Sequence, residues 1–131
     1  MHSVTPILLI EDDPVVVRAT TRWLRKVFVD ALVAHALDAR EAISLVTANP
    51  GAWRLIVSDY DLGRGKETGA DVLAFLRASA PDLVPHFFFF TGSPEAGELG
   101  VPVIDKPSTY EEFEAACRAK VRADDPAEAR P

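Results

Sequence analysis

The stretch RLIVSDYDLGRG, residues 54–65, runs a short apolar segment of Leu55, Ile56 and Val57, then Ser58, straight into two aspartates, Asp59 and Asp61. An ionised carboxylate at the margin of a core costs free energy unless something there needs it. Most acids in such places are helix caps or turn formers. The choice between a cap and a functional acid depends on what else the chain brings to the same spot.

Four further apolar runs, at 7–10, 31–36, 87–90 and 101–104, have the same character. Each is too short for a helix and is bounded by turn or charged residues, which is how buried parallel strands read. Between them the spacing is helical. Residues 15–29 place Val16, Thr20, Trp23, Leu24 and Val27 on one side. Residues 39–47 follow Asp38 as N-cap and stop at Asn49-Pro50-Gly51. Residues 70–78 repeat apolar positions at Val72, Leu73 and Leu76 and stop before Pro81. Residues 109–121 open with Ser108 or Thr109 as cap and with glutamates suited to a helix N-terminus. Five strand–helix units in strict alternation predict an α/β fold, a doubly wound five-stranded parallel sheet with helices on both faces. The run of four phenylalanines, 87–90, then reads as a central strand buried on both sides, and Trp23 and Trp53 as packing residues.

The bulk properties agree with one globular domain. A chain of 131 residues, 48% hydrophobic and 26% charged, has the size and balance to bury a core. A formal net charge of -6 with scattered arginines argues against a nucleic-acid surface, which needs a basic face. The single Cys117 excludes an internal disulfide and falls in a helical pattern as a packing thiol. The N-terminus has no Lys or Arg before its apolar run, so no signal peptide is expected. No segment approaches the length of a membrane span, and the expected compartment is the cytoplasm. Residues 124–131 lack an apolar pattern and are expected to be a disordered tail.

In a parallel sheet of this kind ligands bind at the C-terminal ends of the strands. The residues that follow the apolar runs are Glu11, Asp12 and Asp13; Asp59 and Asp61; Thr91 and Gly92; and Asp105, Lys106 and Pro107. Two carboxylates about 4 Å apart repel by roughly 4 kcal/mol at an effective dielectric near 20, so the cluster calls for a cation. Oxygen donors without nearby His or Cys favour a hard ion, Mg²⁺ first. A lysine and a threonine at the same edge are placed to hold phosphoryl oxygens. Asp59 is the natural acceptor, because a carboxylate can attack phosphorus to form an acyl phosphate.

These residues resemble one family closely, the receiver domains of bacterial two-component response regulators. ILLIEDDP, LIVSDYDLG, FFFFTG and VIDKP occur in the family's order, and the likeness covers about residues 6–123. It implies a flavodoxin-like strand order of 2-1-3-4-5 and a receiver domain over residues 1–123. It makes Asp59 the phosphorylated residue, Thr91 the switch hydroxyl and Lys106 the lysine of the site, with a cis bond to Pro107. It gives the metal to Asp12 and Asp59 directly, to Glu11 through water and to the backbone carbonyl of Asp61. It implies a signalling module rather than a turnover enzyme, taking phosphate from a histidine kinase or a phosphotransfer protein. Output would pass to an unknown protein partner; no nucleic acid or membrane is implied, and a homodimer is left open.

Two rival readings accompany this one. DYDLG also fits the Asp-x-Asp signature of haloacid-dehalogenase-type phosphatases, with Asp61 as general acid, although their acidic metal ligands come late in the chain. The other is a receiver-like scaffold that works without phosphorylation, suggested by departures from the pattern. Gly63 stands where the family has proline, and RGKE lengthens the loop that follows. Val103 replaces the aromatic residue three positions before the lysine. Only nine residues, 92–100, link the fourth and fifth strands, so a shortened or missing fourth helix is expected. Asp13, before Pro14, reads as an N-cap. His35 and His86 have no partner at metal spacing and read as structural or exposed.

Overall fold

The computed structural model describes residues 4–63 and 67–122. Five strands alternate with four helices: β1 Thr5–Ile10, α1 Pro14–Val27, β2 Ala31–Ala36, α2 Ala39–Ala48, β3 Leu55–Ser58, α3 Gly69–Ser79, β4 Phe87–Thr91, β5 Val103–Asp105 and α4 Tyr110–Val121. All strand pairs are parallel, in the order β2-β1-β3-β4-β5. The fold is thus the doubly wound sheet that the alternation predicts, in the flavodoxin-like order that the resemblance implies. The expected tail lies outside the described residues.

The period-two geometry of a strand explains why the central runs carry no polar residue. Along β1, Ile7 and Leu9 join Leu24, Val27, Phe113 and Cys117 in a core beneath α1 and α4. Leu8 and Ile10 face Val46, Val72, Leu73 and Leu76 beneath α2 and α3. The phenylalanines divide the same way. Phe88 and Phe90 lie on the first face, with Phe90 and Phe113 centroids 4.9 Å apart. Phe87 and Phe89 lie on the second, edge to face at 4.9 Å. Trp23 packs against Phe113 at 5.3 Å and Tyr110 at 5.5 Å. Cys117 is fully buried, and burial pushes its thiol well above the usual range, so it is a packing residue.

The helices start where their sequences say. The Asp13 carboxylate accepts from Val15 N at 2.9 Å, with proline in the first turn of α1, and Asp38 accepts from Glu41 N at 2.8 Å. Thr68 with Asp71, and Thr109 with Glu112, form reciprocal capping boxes on α3 and α4. Each cap fixes where a helix leaves the functional edge of the sheet.

The strict alternation fails in two places. Between α3 and β4 the chain adds a 3₁₀ segment, Pro81–His86, entered by Pro81, whose fixed φ suits a first helical position. Between β4 and β5 there is no α-helix, only a 3₁₀ turn at Pro94–Glu98. Its short length leaves no room for more, as the nine-residue link implies. The fifth strand also begins two residues later than its apolar run: Val101 and Pro102 are spent on the approach, and the pairing runs from Val103 to Asp105.

Candidate functional site

The C-terminal strand ends bring most of the candidate residues together. Register pairs Ile10 of β1 with Ser58 of β3, and Thr91 of β4 with Asp105 of β5, so the residues that follow share one edge. Carboxylate oxygens of Glu11, Asp12 and Asp59 lie within 4.8 Å of one another. Lys106 reaches across β4 to join them. Its Nζ donates to Glu11 Oε1 at 2.6 Å and to Asp59 Oδ2 at 3.1 Å. The Lys106–Pro107 bond is cis.

Asp59 is held at both oxygens, since Oδ1 accepts from its neighbour's N–H, Tyr60 N, at 2.7 Å. Just below it, the Ser58 hydroxyl donates to the Asp59 carbonyl at 2.7 Å. Gly69, the first residue of α3, presses on the same backbone: a Cβ there would lie 2.4 Å from the Asp59 carbonyl and 2.7 Å from the Phe89 ring. Only glycine allows that approach. Asp59 therefore sits among packed elements rather than on a free loop.

The electrostatics are those of an anionic site with too few cations. Glu11 is raised from its usual value, first by burial and also by the charge on Asp59, against the lowering pull of Lys106. Burial would lower Lys106, but Glu11 and Asp59 outweigh it and hold the ammonium above its usual value. The two directions have one cause: one ammonium serves two carboxylates, and Asp12 adds a third negative charge without an ammonium of its own among the described residues. The donor set, three carboxylates and no sulfur or imidazole, suits a small divalent cation such as Mg²⁺.

Thr91 is buried, and its Oγ1 accepts from Ser93 N at 3.2 Å, which leaves its own hydroxyl proton free to donate elsewhere. Asp61 is exposed and its side chain is not part of the carboxylate cluster. Asp105 is likewise exposed and outside the cluster, and Asp13 is consumed as a cap.

Three contacts at the site were not read from the sequence. The His35 Nε2 lies 2.7 Å from the Glu11 carbonyl, tying β2 to the end of β1; the parallel register of two adjacent strands is the signal that could have placed it. Gly63 lies against the Asp12 carboxylate. The Ser93 hydroxyl is bonded to the Glu95 carboxylate, which links the residue after Gly92 to the 3₁₀ turn.

No protein-family model matches the chain, and no curated protein matches it. Solved structures do. A response regulator receiver domain protein from Clostridium thermocellum aligns with a TM-score of 0.78 at 19% identity, covering 91% of this chain and 95% of that one. A response regulator receiver protein from Sinorhizobium medicae aligns at 0.77 and 21%, covering 92% and 97%. The non-phosphorylated HemR receiver domain of Leptospira biflexa aligns at 0.73 and 27%, covering 89% and 94%.

Proposed function

We infer that this chain, a receiver domain by fold, accepts a phosphoryl group on Asp59 with a divalent cation and passes the signal on through protein contacts. The observation that carries the reading is the convergence on one sheet edge of Glu11, Asp12, Asp59 and Lys106, with Thr91 one strand away. A purely structural cluster has no reason to gather three carboxylates around one ammonium, because their mutual repulsion is uncompensated.

The chemistry follows from the contacts. One Asp59 oxygen attacks phosphorus as the bond from phosphorus to the donor's nitrogen or oxygen breaks; the electron pair leaves with the donor, and an acyl phosphate remains. Lys106, now 3.1 Å from Asp59 Oδ2, offers its ammonium to the oxygens of the incoming group. The Thr91 hydroxyl, at the end of the neighbouring strand, would donate to the same group. Asp12 and Asp59, backed by Glu11, would hold Mg²⁺, which when bound neutralises charge on the phosphoryl oxygens. The Asp61 carbonyl is a further donor suggested by the family resemblance.

The donor class is a histidine kinase or phosphotransfer protein. Beside Lys106 an apolar groove of about 300 Å³ runs between the first half of α1 and the β5–α4 connection, lined by Val15, Val16, Trp23, Phe90 and Pro107. It gives such a donor a surface next to the reacting atoms. No described helix is long and apolar enough to cross a membrane; we place the domain in the cytoplasm, as a signalling module that assists its own phosphorylation and hydrolysis.

The test is intact mass after incubation with acetyl phosphate and Mg²⁺. One added phosphoryl group is expected, lost in Asp59→Asn and lost with EDTA. A label retained in Asp59→Asn overturns the assignment. No label under any condition favours the scaffold reading, which Val103 and the lack of an α-helix between β4 and β5 support.

A further inference from the structure

Gly63 differs from the other described glycines in what occupies its missing side chain. Gly51 and Gly97 face open space, and Gly69 is pressed by backbone and a phenyl ring. At Gly63 the three nearest atoms all belong to Asp12: a Cβ there would lie 2.0 Å from Asp12 Oδ2 and 3.1 Å from its Cγ. The backbone is also left-handed, with φ at +66°. These are separate constraints. The dihedral alone would admit asparagine as well as glycine; the volume admits a Cβ only if the Asp12 carboxylate moves away.

We propose that Gly63 is a positioning residue for the metal site. Its bare α-carbon lets the Asp12 carboxylate rest on the β3–α3 loop while staying within 4.8 Å of Glu11 and Asp59 oxygens. Any Cβ at position 63 displaces that carboxylate and takes it out of the cluster. Asp12 follows β1 and Gly63 follows β3, so the contact also ties the loop after the acceptor to the end of the central strand. This rests on reading the cluster as a divalent-cation site.

The experiment compares Gly63→Ala and Gly63→Asn with the unaltered chain. Asparagine adds the same Cβ at a smaller conformational cost and carries the test should the alanine variant not fold. Mg²⁺ binding by titration calorimetry is expected to weaken about 10–100-fold in both, the range seen when a group that orients a metal ligand is lost. Thermal melts in EDTA form a second arm, a double-mutant cycle with Asp12→Ala. Gly63→Asn should lower the melting midpoint in the natural background by at least twice as much as beside Asp12→Ala. Unchanged Mg²⁺ affinity in a folded variant overturns the proposal, as do equal melting shifts in the two backgrounds. If the unaltered chain binds no Mg²⁺, the metal reading fails, and with it the metal-positioning role; the melts in EDTA still decide by themselves whether Gly63 and Asp12 are in contact.

Discussion

Replacing Lys106 with methionine keeps most of the side chain's volume and removes the ammonium that Glu11 and Asp59 share. Each carboxylate retains one backbone bond, Asp59 from Tyr60 N at 2.7 Å and Glu11 from Asp13 N at 3.2 Å, so the greater cost falls on the more buried one, Glu11, whose side chain is 4% exposed against 13% and lies 2.6 Å from the lysine. An unpaired buried carboxylate either stays ionised, at a large desolvation cost, or takes up a proton. Protonation is cheaper and sets the ceiling. Keeping a carboxyl of ordinary pKa 4.5 neutral at pH 7 costs about 3 kcal/mol, at 1.36 kcal/mol per pH unit. At pH 5 the same step costs less than about 1 kcal/mol.

The sign follows from linkage. Glu11 is already raised above its unfolded value, and losing Lys106 raises it further, so its contribution is fully present below the unfolded pKa. It is then lost as pH rises towards the folded one. The variant should therefore approach the natural chain at pH 5 and fall behind as pH rises to 7. For a chain of this length 3 kcal/mol corresponds to roughly 10 °C in melting midpoint, shrinking to about 2–3 °C at pH 5. The assay is thermal denaturation in EDTA across pH 5–7. A deficit of the same size at both ends, or none at pH 7, refutes the claim that Glu11 is held ionised by Lys106.

Mg²⁺ should raise the melting midpoint of Lys106→Met more than that of the natural chain, because the cation then replaces the missing charge; an equal rise in differential scanning calorimetry counts against this. Gly69→Ala should destabilise by about 1–3 kcal/mol, the usual cost of overpacking, since its Cβ meets the Asp59 carbonyl at 2.4 Å; a denaturant midpoint within error of the natural chain would show that α3 can shift. With beryllofluoride and Mg²⁺ as phosphoryl mimic, Thr91 should turn its hydroxyl towards the mimic and loosen the Ser93–Glu95 link. Amide exchange should then change across residues 93–99, and unchanged exchange there would mean that this segment does not carry the signal.

The fold was legible because burial on both faces of a parallel sheet leaves a residue-level trace. Runs such as 7–10 and 87–90 have no polar residue to spare, and Asp13, Asp38 and Thr109 mark helix starts through caps that depend on local chemistry alone. Strand limits were less legible where pairing rather than composition decides them. Val101 is as apolar as Val103, yet β5 begins only where the chain comes alongside Phe89. The 3₁₀ segment Pro81–His86 left no periodic signal, because one or two turns cannot establish a period.

The site divides in a similar way. Topology alone brings the residues after each strand to one edge, so Glu11, Asp12, Asp59, Thr91 and Lys106 could be gathered before any coordinates. Contacts between loops are another matter, since they depend on where a backbone turns. Gly63 as a letter says only that a tight conformation is allowed; that the freed volume belongs to Asp12, fifty-one positions earlier, is a fact of three dimensions. The same holds for His35, which reads as a spare histidine in an edge strand until β2 is set beside β1 and its ring meets the Glu11 carbonyl. The missing helix between β4 and β5 is the instructive exception, because it was legible from arithmetic. A link of nine residues cannot carry a full helix back along the sheet at about 1.5 Å per residue, and Pro94 with the glycines nearby disfavours even a short one. What the chain puts there is a single 3₁₀ turn whose Ala96 is buried and whose Glu95 holds Ser93. The segment between β4 and β5 is joined to Thr91 by two hydrogen bonds in series, Ser93 N to Thr91 Oγ1 and Ser93 Oγ to Glu95, the route by which a movement of the Thr91 hydroxyl would reach it.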